Sequence, residues 1–177
     1  MPTPPEVQTF LDAARRYIER SVNLKGVTLD GSEASLAYVD HYIIETARKE
    51  TLKPEVLALV APALGAYLGE VAIARLGGRW LLDGSDPAGW RVELEPAPLS
   101  FHPVGMAAEA LRGEEVEGYD ATFTARPDLM GPLLEALEAS PPVDESYYYS
   151  LTGRFETLTQ ALDILVEIER RRRDQQN

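Results

Sequence analysis

The stretch from Pro62 to Leu111 decides the fold. It begins PALGAYLGEVAIARLGGRWLLD at Pro62, continues GWRVELEP from Gly89, and ends with APLSFHPVGMAAEAL at Leu111. In order, these segments predict a helix, a glycine stop, two or three short strands and a second helix. Short strands grouped between helices are typical of an α+β protein.

The first of these helices is strongly apolar, because the 14 residues from Val56 to Gly69 contain no charge. A membrane span needs about 20 such residues, and Glu70 and Arg75 interrupt the run. We therefore expect a buried core helix. Gly65 and Gly69 share one helical face, and each glycine costs about 0.5–1 kcal/mol relative to alanine. The pair predicts that another backbone approaches closely; a locally weakened helix is the alternative.

A hairpin is expected after the glycine pair Gly77-Gly78, which ends the helix. Apolar and charged residues alternate from Trp90 to Glu95, a pattern that predicts a strand with one buried and one wet face. The turn residues of Gly84–Gly89 join this strand to an earlier one around Trp80. Leu99–Phe101 is expected to add a third strand.

The remaining chain is expected to be helical and to form one globular domain over residues 1–177. Its parts are N-terminal helices in 4–76, a hairpin region in 79–102 and C-terminal helices in 103–173. The last helix has the clearest seam, with steps of four and three between Leu151, Phe155, Leu158, Leu162 and Leu165. The fold class is therefore α+β, a small antiparallel sheet of two to four strands flanked by about five or six helices.

Composition restricts the compartment and the partners. The chain has no cysteine, which excludes disulfides and cysteine-based metal or redox sites. The N-terminus lacks a secretory signal, and arginine outnumbers lysine 14 to 3, as in GC-rich bacterial genomes. We expect a soluble bacterial protein in the cytoplasm. A net charge of −12 argues against nucleic-acid binding.

The negative charge is concentrated in what we call the acidic segment, Ala108–Ser150. It contains ten acidic residues and two basic ones, and so holds −8 of the net charge. Such a segment either serves solubility alone or steers a basic protein partner to the surface. Because no long apolar seam is left over once the core is filled, we expect a monomer or weak dimer.

The sequence contains no catalytic signature. Nucleophile elbows and phosphate loops are absent, and His102 lacks the third group that a nucleophile and base require, so it is interpreted as a packing or capping residue. We expect no catalytic residue, metal or cofactor. A binding pocket, if one forms, is expected among aromatic and ionisable residues, namely Tyr67, Glu70, Trp80, His102, Tyr147 and Arg154.

Glu70 is the only charged residue between Val56 and Ala74, and its own helix offers no base within one turn. A buried carboxylate without a partner is costly. We therefore predict that Glu70 is at least partly buried and pairs with a distant base, with Arg154 favoured over Arg79 and Arg91.

Four short segments together resemble a loose set of bacterial domains of unknown function. They are LDGSEASLAYVD (Leu29–Asp40), GAYLGEV (Gly65–Val71), LGGRW (Leu76–Trp80) and FHPVGMAAEAL (Phe101–Leu111). The resemblance implies an α+β fold for Leu29 to Leu111 and transfers no activity.

Three possible functions follow from these observations. The first is a non-enzymatic cytoplasmic protein-binding domain, of inhibitor, immunity or regulatory type. The alternative is a small-molecule-binding protein or unusual hydrolase with a pocket near Tyr67, Glu70, Trp80 and His102. A structural subunit of a larger assembly is a third possibility.

Overall fold

A computed structural model gives the structure of residues 2–21, 24–48 and 52–175. This part of the chain contains seven α-helices: α1 (Pro5–Arg20), α2 (Leu36–Tyr42), α3 (Pro54–Leu76), α4 (Pro103–Arg112), α5 (Pro127–Glu138), α6 (Glu145–Tyr148) and α7 (Leu151–Gln175). It also contains four strands: β1 (Gly78–Leu81), β2 (Arg91–Leu94), β3 (Leu99–Phe101) and β4 (Phe123–Thr124). The predicted α+β class is confirmed, and the structure adds α6 as a single helical turn.

The sheet is antiparallel with the strand order β1-β2-β3-β4. In β2, Val92 and Leu94 are buried while Arg91 and Glu93 are partly exposed, so the predicted alternation is confirmed. The hairpin and the third strand at Leu99–Phe101 are also where the sequence predicts them. β4, which the pattern alone did not define, pairs with β3 and brings the chain after α4 to the edge of the sheet.

The central helix, α3, begins at Pro54 and ends at Leu76, and it is capped by Gly77, whose φ of +82° suits glycine. Thirteen of its 23 residues are buried. By length and composition α3 could cross a membrane, but 72% of its most apolar window is buried inside the protein. It is therefore the buried core helix that the sequence predicts.

Gly65 and Gly69 mark two close contacts of α3. A Cβ added at Gly65 would lie 2.6 Å from the Cα of Val104 in α4, which confirms the predicted backbone approach. At Gly69 an added Cβ would instead lie 2.4 Å from the indole ring of Trp80. The prediction of a neighbouring backbone is therefore wrong at Gly69, because the hairpin folds its Trp side chain onto this face.

The last helix, α7, packs its predicted seam into the core, where all five residues are buried: Leu151, Phe155, Leu158, Leu162 and Leu165. Its first turn is held by Asp40 of α2, which accepts hydrogen bonds from the amides of Leu151 and Thr152 at 2.7 and 3.0 Å. A carboxylate at a helix N-terminus satisfies free amides and complements the helix dipole. This contact fixes the start of α7 against α2.

Candidate functional site

An open cleft of about 740 Å³ lies where the C-terminal end of α4, the loop that follows it, α5, α6 and the start of α7 come together. The cleft is lined by Glu109, Glu115, Val116, Glu117, Tyr119, Asp120, Ala121, Thr122, Phe123, Leu134, Tyr148 and Arg154. All of these except Arg154 belong to the acidic segment. The fold therefore gathers part of the excess negative charge around one concave surface.

One wall of the cleft is formed by residues 120–122, which pack against α4 at Gly105. A Cβ added there would lie 1.7 Å from the carbonyl oxygen of Asp120, so no side chain fits without moving that backbone. The Asp120 carboxylate accepts hydrogen bonds from the amide and hydroxyl of Thr122 at 2.8 and 2.7 Å. His102 lies next to the same carboxylate, with its Nδ1 3.6 Å from Oδ2 of Asp120. The wall is thus positioned by close packing and by local hydrogen bonds.

The floor of the cleft is a buried ion pair between Arg154 and Glu109. The Nη2 of Arg154 donates to Oε2 of Glu109, and the two residues are 6% and 8% exposed. Burial raises the pKa of Glu109, although the charge and hydrogen bond of Arg154 oppose that shift. The ring of Tyr148 covers the guanidinium, with its centroid 4.1 Å from Cζ. Within the described part of the chain, the buried Nε of Arg154 has no hydrogen-bond partner.

The rim of the cleft carries carboxylates that the fold itself does not neutralise. Glu115 and Glu117 are exposed, and neither forms an ion pair or hydrogen bond with any residue that the structure describes. Tyr119, which immediately precedes Asp120, is half-buried. Burial raises the pKa of Tyr119, and the charge of Asp86 raises it further. The cleft therefore combines free negative charge with aromatic surface.

The six residues predicted to form a pocket do not surround a common one. Tyr67 is buried in the core, where its hydroxyl accepts from the amide of Gly31 at 3.0 Å and lies 2.5 Å from Ser35 Oγ. Arg154 lines the acidic cleft, and His102 touches only its wall. Tyr147 points to Glu156, whose hydrogen bond, followed by burial, raises the pKa of Tyr147 to about 12.

Glu70 and Trp80 form a separate small contact. The Glu70 carboxylate accepts from Trp80 Nε1 at 2.7 Å and from the hydroxyl of Thr3 at 2.8 Å. Glu70 is half-buried, as predicted, and its partners are distant in sequence. The predicted pairing with an arginine is wrong, because two neutral donors satisfy the carboxylate and Arg154 pairs with Glu109. The other candidates pair elsewhere, Arg79 with Glu93 and Arg91 with Asp83.

The sequence analysis missed Glu109 and Tyr148 as individual site residues. A signal for Glu109 was present, because it is a lone carboxylate in the apolar run FHPVGMAAEAL, the same situation that drew attention to Glu70. Its partner lies 45 residues away on α7. No periodicity in either helix specifies that pairing, which depends on how α4 and α7 cross.

Among the described residues, no group of three or more histidines, cysteines, aspartates or glutamates has the geometry to hold a metal ion. No protein-family model, curated protein or solved structure matches this chain. The resemblance to bacterial domains of unknown function and the expectation of a monomer or weak dimer therefore stay predictions. The function must be argued from the cleft itself.

Proposed function

We propose that the chain is a non-enzymatic cytoplasmic protein-binding domain, of inhibitor, immunity or regulatory type, whose acidic cleft receives a basic segment of a partner protein. The observation that carries this proposal is the pair of unneutralised carboxylates, Glu115 and Glu117, on the rim of a cleft that also contains Asp120. The fold leaves these charges facing solvent in one concavity, where they attract cations.

Two physical effects favour a cationic partner. Carboxylates of one sign in a cleft focus the electrostatic field, which raises the rate of encounter with an oppositely charged surface. The rings of Tyr119 and Tyr148 offer aromatic surface to the same cation, and cation–π contacts contribute about 0.5–1 kcal/mol at exposed sites. A surface meant only for solubility does not need this combination.

A second candidate function, binding of a cationic small molecule, is favoured by the size of the cleft. Its volume of about 740 Å³ lies within the range of roughly 300–1,000 Å³ typical of ligand sites. The hydrolase alternative loses its basis, because Tyr67, Glu70, Trp80 and His102 do not share a pocket. The open shape and exposed rim carboxylates suit a protruding protein segment better than an enclosed ligand.

The proposal is tested by affinity capture from cytoplasmic extract of the source organism. Wild type is compared with Glu115→Lys/Glu117→Lys and with the charge-matched control Glu19→Lys/Glu138→Lys, whose positions are exposed and outside the cleft. A partner held by wild type and control, lost by the cleft variant and released by high salt supports the proposal. The Debye length falls from about 8 Å at 0.15 M to about 3 Å at 1 M ionic strength.

Two results contradict the proposal. In the first, no specific partner is recovered by wild type at either salt concentration. In the second, the cleft variant and the control retain the same partner equally, which places its binding surface elsewhere on the protein.

A further inference from the structure

We infer that the group selected by the acidic cleft is an arginine side chain carried on a peptide, rather than a lysine side chain or a free polyamine. This inference rests on the proposed function and specifies the chemistry of the same site. It depends on two separate features of the cleft, namely its rim and its floor.

The rim favours a guanidinium over an ammonium. Glu115 and Glu117 offer two carboxylates without a cation partner among the described residues, and Tyr119 and Tyr148 line the same cleft. A guanidinium is planar, binds carboxylates with two parallel hydrogen bonds, stacks on aromatic rings and is more weakly hydrated than an ammonium. A lysine ammonium gains the charge attraction but not the stacking or the paired hydrogen bonds.

The floor favours an occupant that carries a carbonyl. Arg154 lines the cleft although it is only 6% exposed. Within the described structure, its Nε has no hydrogen-bond acceptor. A buried donor without a partner costs about 1–3 kcal/mol relative to a satisfied one. A main-chain carbonyl of a bound peptide supplies the missing acceptor, which a polyamine cannot do.

The rings of Tyr148 and Tyr149 both lie over the guanidinium that carries this donor, and Tyr148 is the nearer of the two. Its ring lies over the guanidinium of Arg154 with the centroid 4.1 Å from Cζ, yet Tyr148 itself is 44% exposed. It ends the four-residue helix α6, which follows the exposed linker 141–144. In the proposed complex the exposed ring of Tyr148 moves aside, the peptide carbonyl accepts from the otherwise buried Nε, and the ring packs on the incoming guanidinium.

The experiment is isothermal titration calorimetry of the full chain at low salt with three probes of equal charge. They are acetyl-triarginine amide, acetyl-trilysine amide and spermidine, each carrying three positive charges at pH 7. We expect the arginine peptide to bind about three- to fivefold more tightly than the lysine peptide. Spermidine is expected to be the weakest of the three. The cleft variant Glu115→Lys/Glu117→Lys is expected to lose binding of all three.

A second measurement follows the Nε–Hε resonance of Arg154 by NMR in the wild-type protein and so needs no change in the buried pair. We expect the arginine peptide to shift this resonance and spermidine to leave it in place. Equal affinities for the arginine and lysine peptides, or an Hε resonance that neither peptide moves, overturn the inference while leaving a charge-binding cleft intact. Failure of the proposed function is distinct: no probe binds, or the cleft variant binds them as wild type does.

Discussion

Helix α4 takes part in two regions that are built differently. Towards α3, Val104 meets Gly65 with backbone against backbone, and no charge is involved. Towards the acidic cleft, Gly105 admits the backbone of Asp120, while Glu109, one turn later, holds Arg154 in a buried ion pair. The first contact serves packing alone. The second keeps a buried charge pair and a buried donor without a described partner in the floor of an open cleft, which packing alone does not require.

The largest effect is expected at the floor of the cleft. Arg154→Met leaves the Glu109 carboxylate buried without its cation, and removing one partner of a buried pair typically costs about 3–5 kcal/mol. The free energy of unfolding from urea titration measures this loss. The double variant Arg154→Met/Glu109→Leu replaces both charges with apolar groups and is expected to recover most of the stability. A single variant as stable as wild type would mean that the pair contributes nothing to the fold.

The next effect concerns the contact between α3 and α4. Gly65→Ala places a methyl group 2.6 Å from the Cα of Val104, and such overpacking costs about 1–3 kcal/mol. The matched control is Gly131→Ala in α5, where an added Cβ meets nothing within 4 Å. The control is expected to keep or raise the melting temperature, because alanine is the better helix former. Equal melting temperatures for the two variants would show that α3 and α4 separate freely.

A smaller effect is expected at the carboxylate of α3. Glu70→Gln keeps one acceptor oxygen, which can serve Trp80 Nε1, while its amide group can donate to the Thr3 hydroxyl; no ion pair is removed. The loss should therefore stay below about 1.5 kcal/mol, the upper end for an ordinary hydrogen bond. The measurement is the free energy of unfolding from urea titration, compared between Glu70→Gln and Glu109→Gln. Of these two carboxylates, only Glu109 contacts a buried cation. A loss at Glu70 as large as that at Glu109 would argue that an arginine approaches Glu70 after all.

The smallest effect on stability is expected on the rim. Glu115→Lys/Glu117→Lys changes exposed side chains without described partners, and such changes usually stay within about 0.5 kcal/mol. The measurement is the melting temperature of this variant, compared with that of the control Glu19→Lys/Glu138→Lys. A marked loss of stability in the rim variant alone would assign these carboxylates a role in the fold instead of in binding.

The elements could be predicted where the signal is local. Residues around Val92 alternate with the period of a strand, and the leucine seam of α7 recurs with the period of a helix. Both patterns arise because one face of a single element is buried in the core. The site could be predicted only as an excess of charge in Ala108–Ser150, because its geometry depends on contacts between distant elements. For this reason Arg154, which was predicted to pair with Glu70, forms its ion pair with Glu109 instead. Both are lone carboxylates on apolar helices, and only the crossing of α4 and α7 selects between them.

The measurement that tests the central claim most directly is the dissociation constant of acetyl-triarginine amide for two neutralised variants at low salt. Glu115→Gln/Glu117→Gln removes the rim charges of the cleft, and Glu19→Gln/Glu138→Gln removes the same charge elsewhere. If the cleft holds the cationic group, the first variant loses about tenfold in affinity and the second keeps nearly all of it. Equal affinities for the two variants would contradict the account, because the peptide would then respond to net charge and not to the cleft.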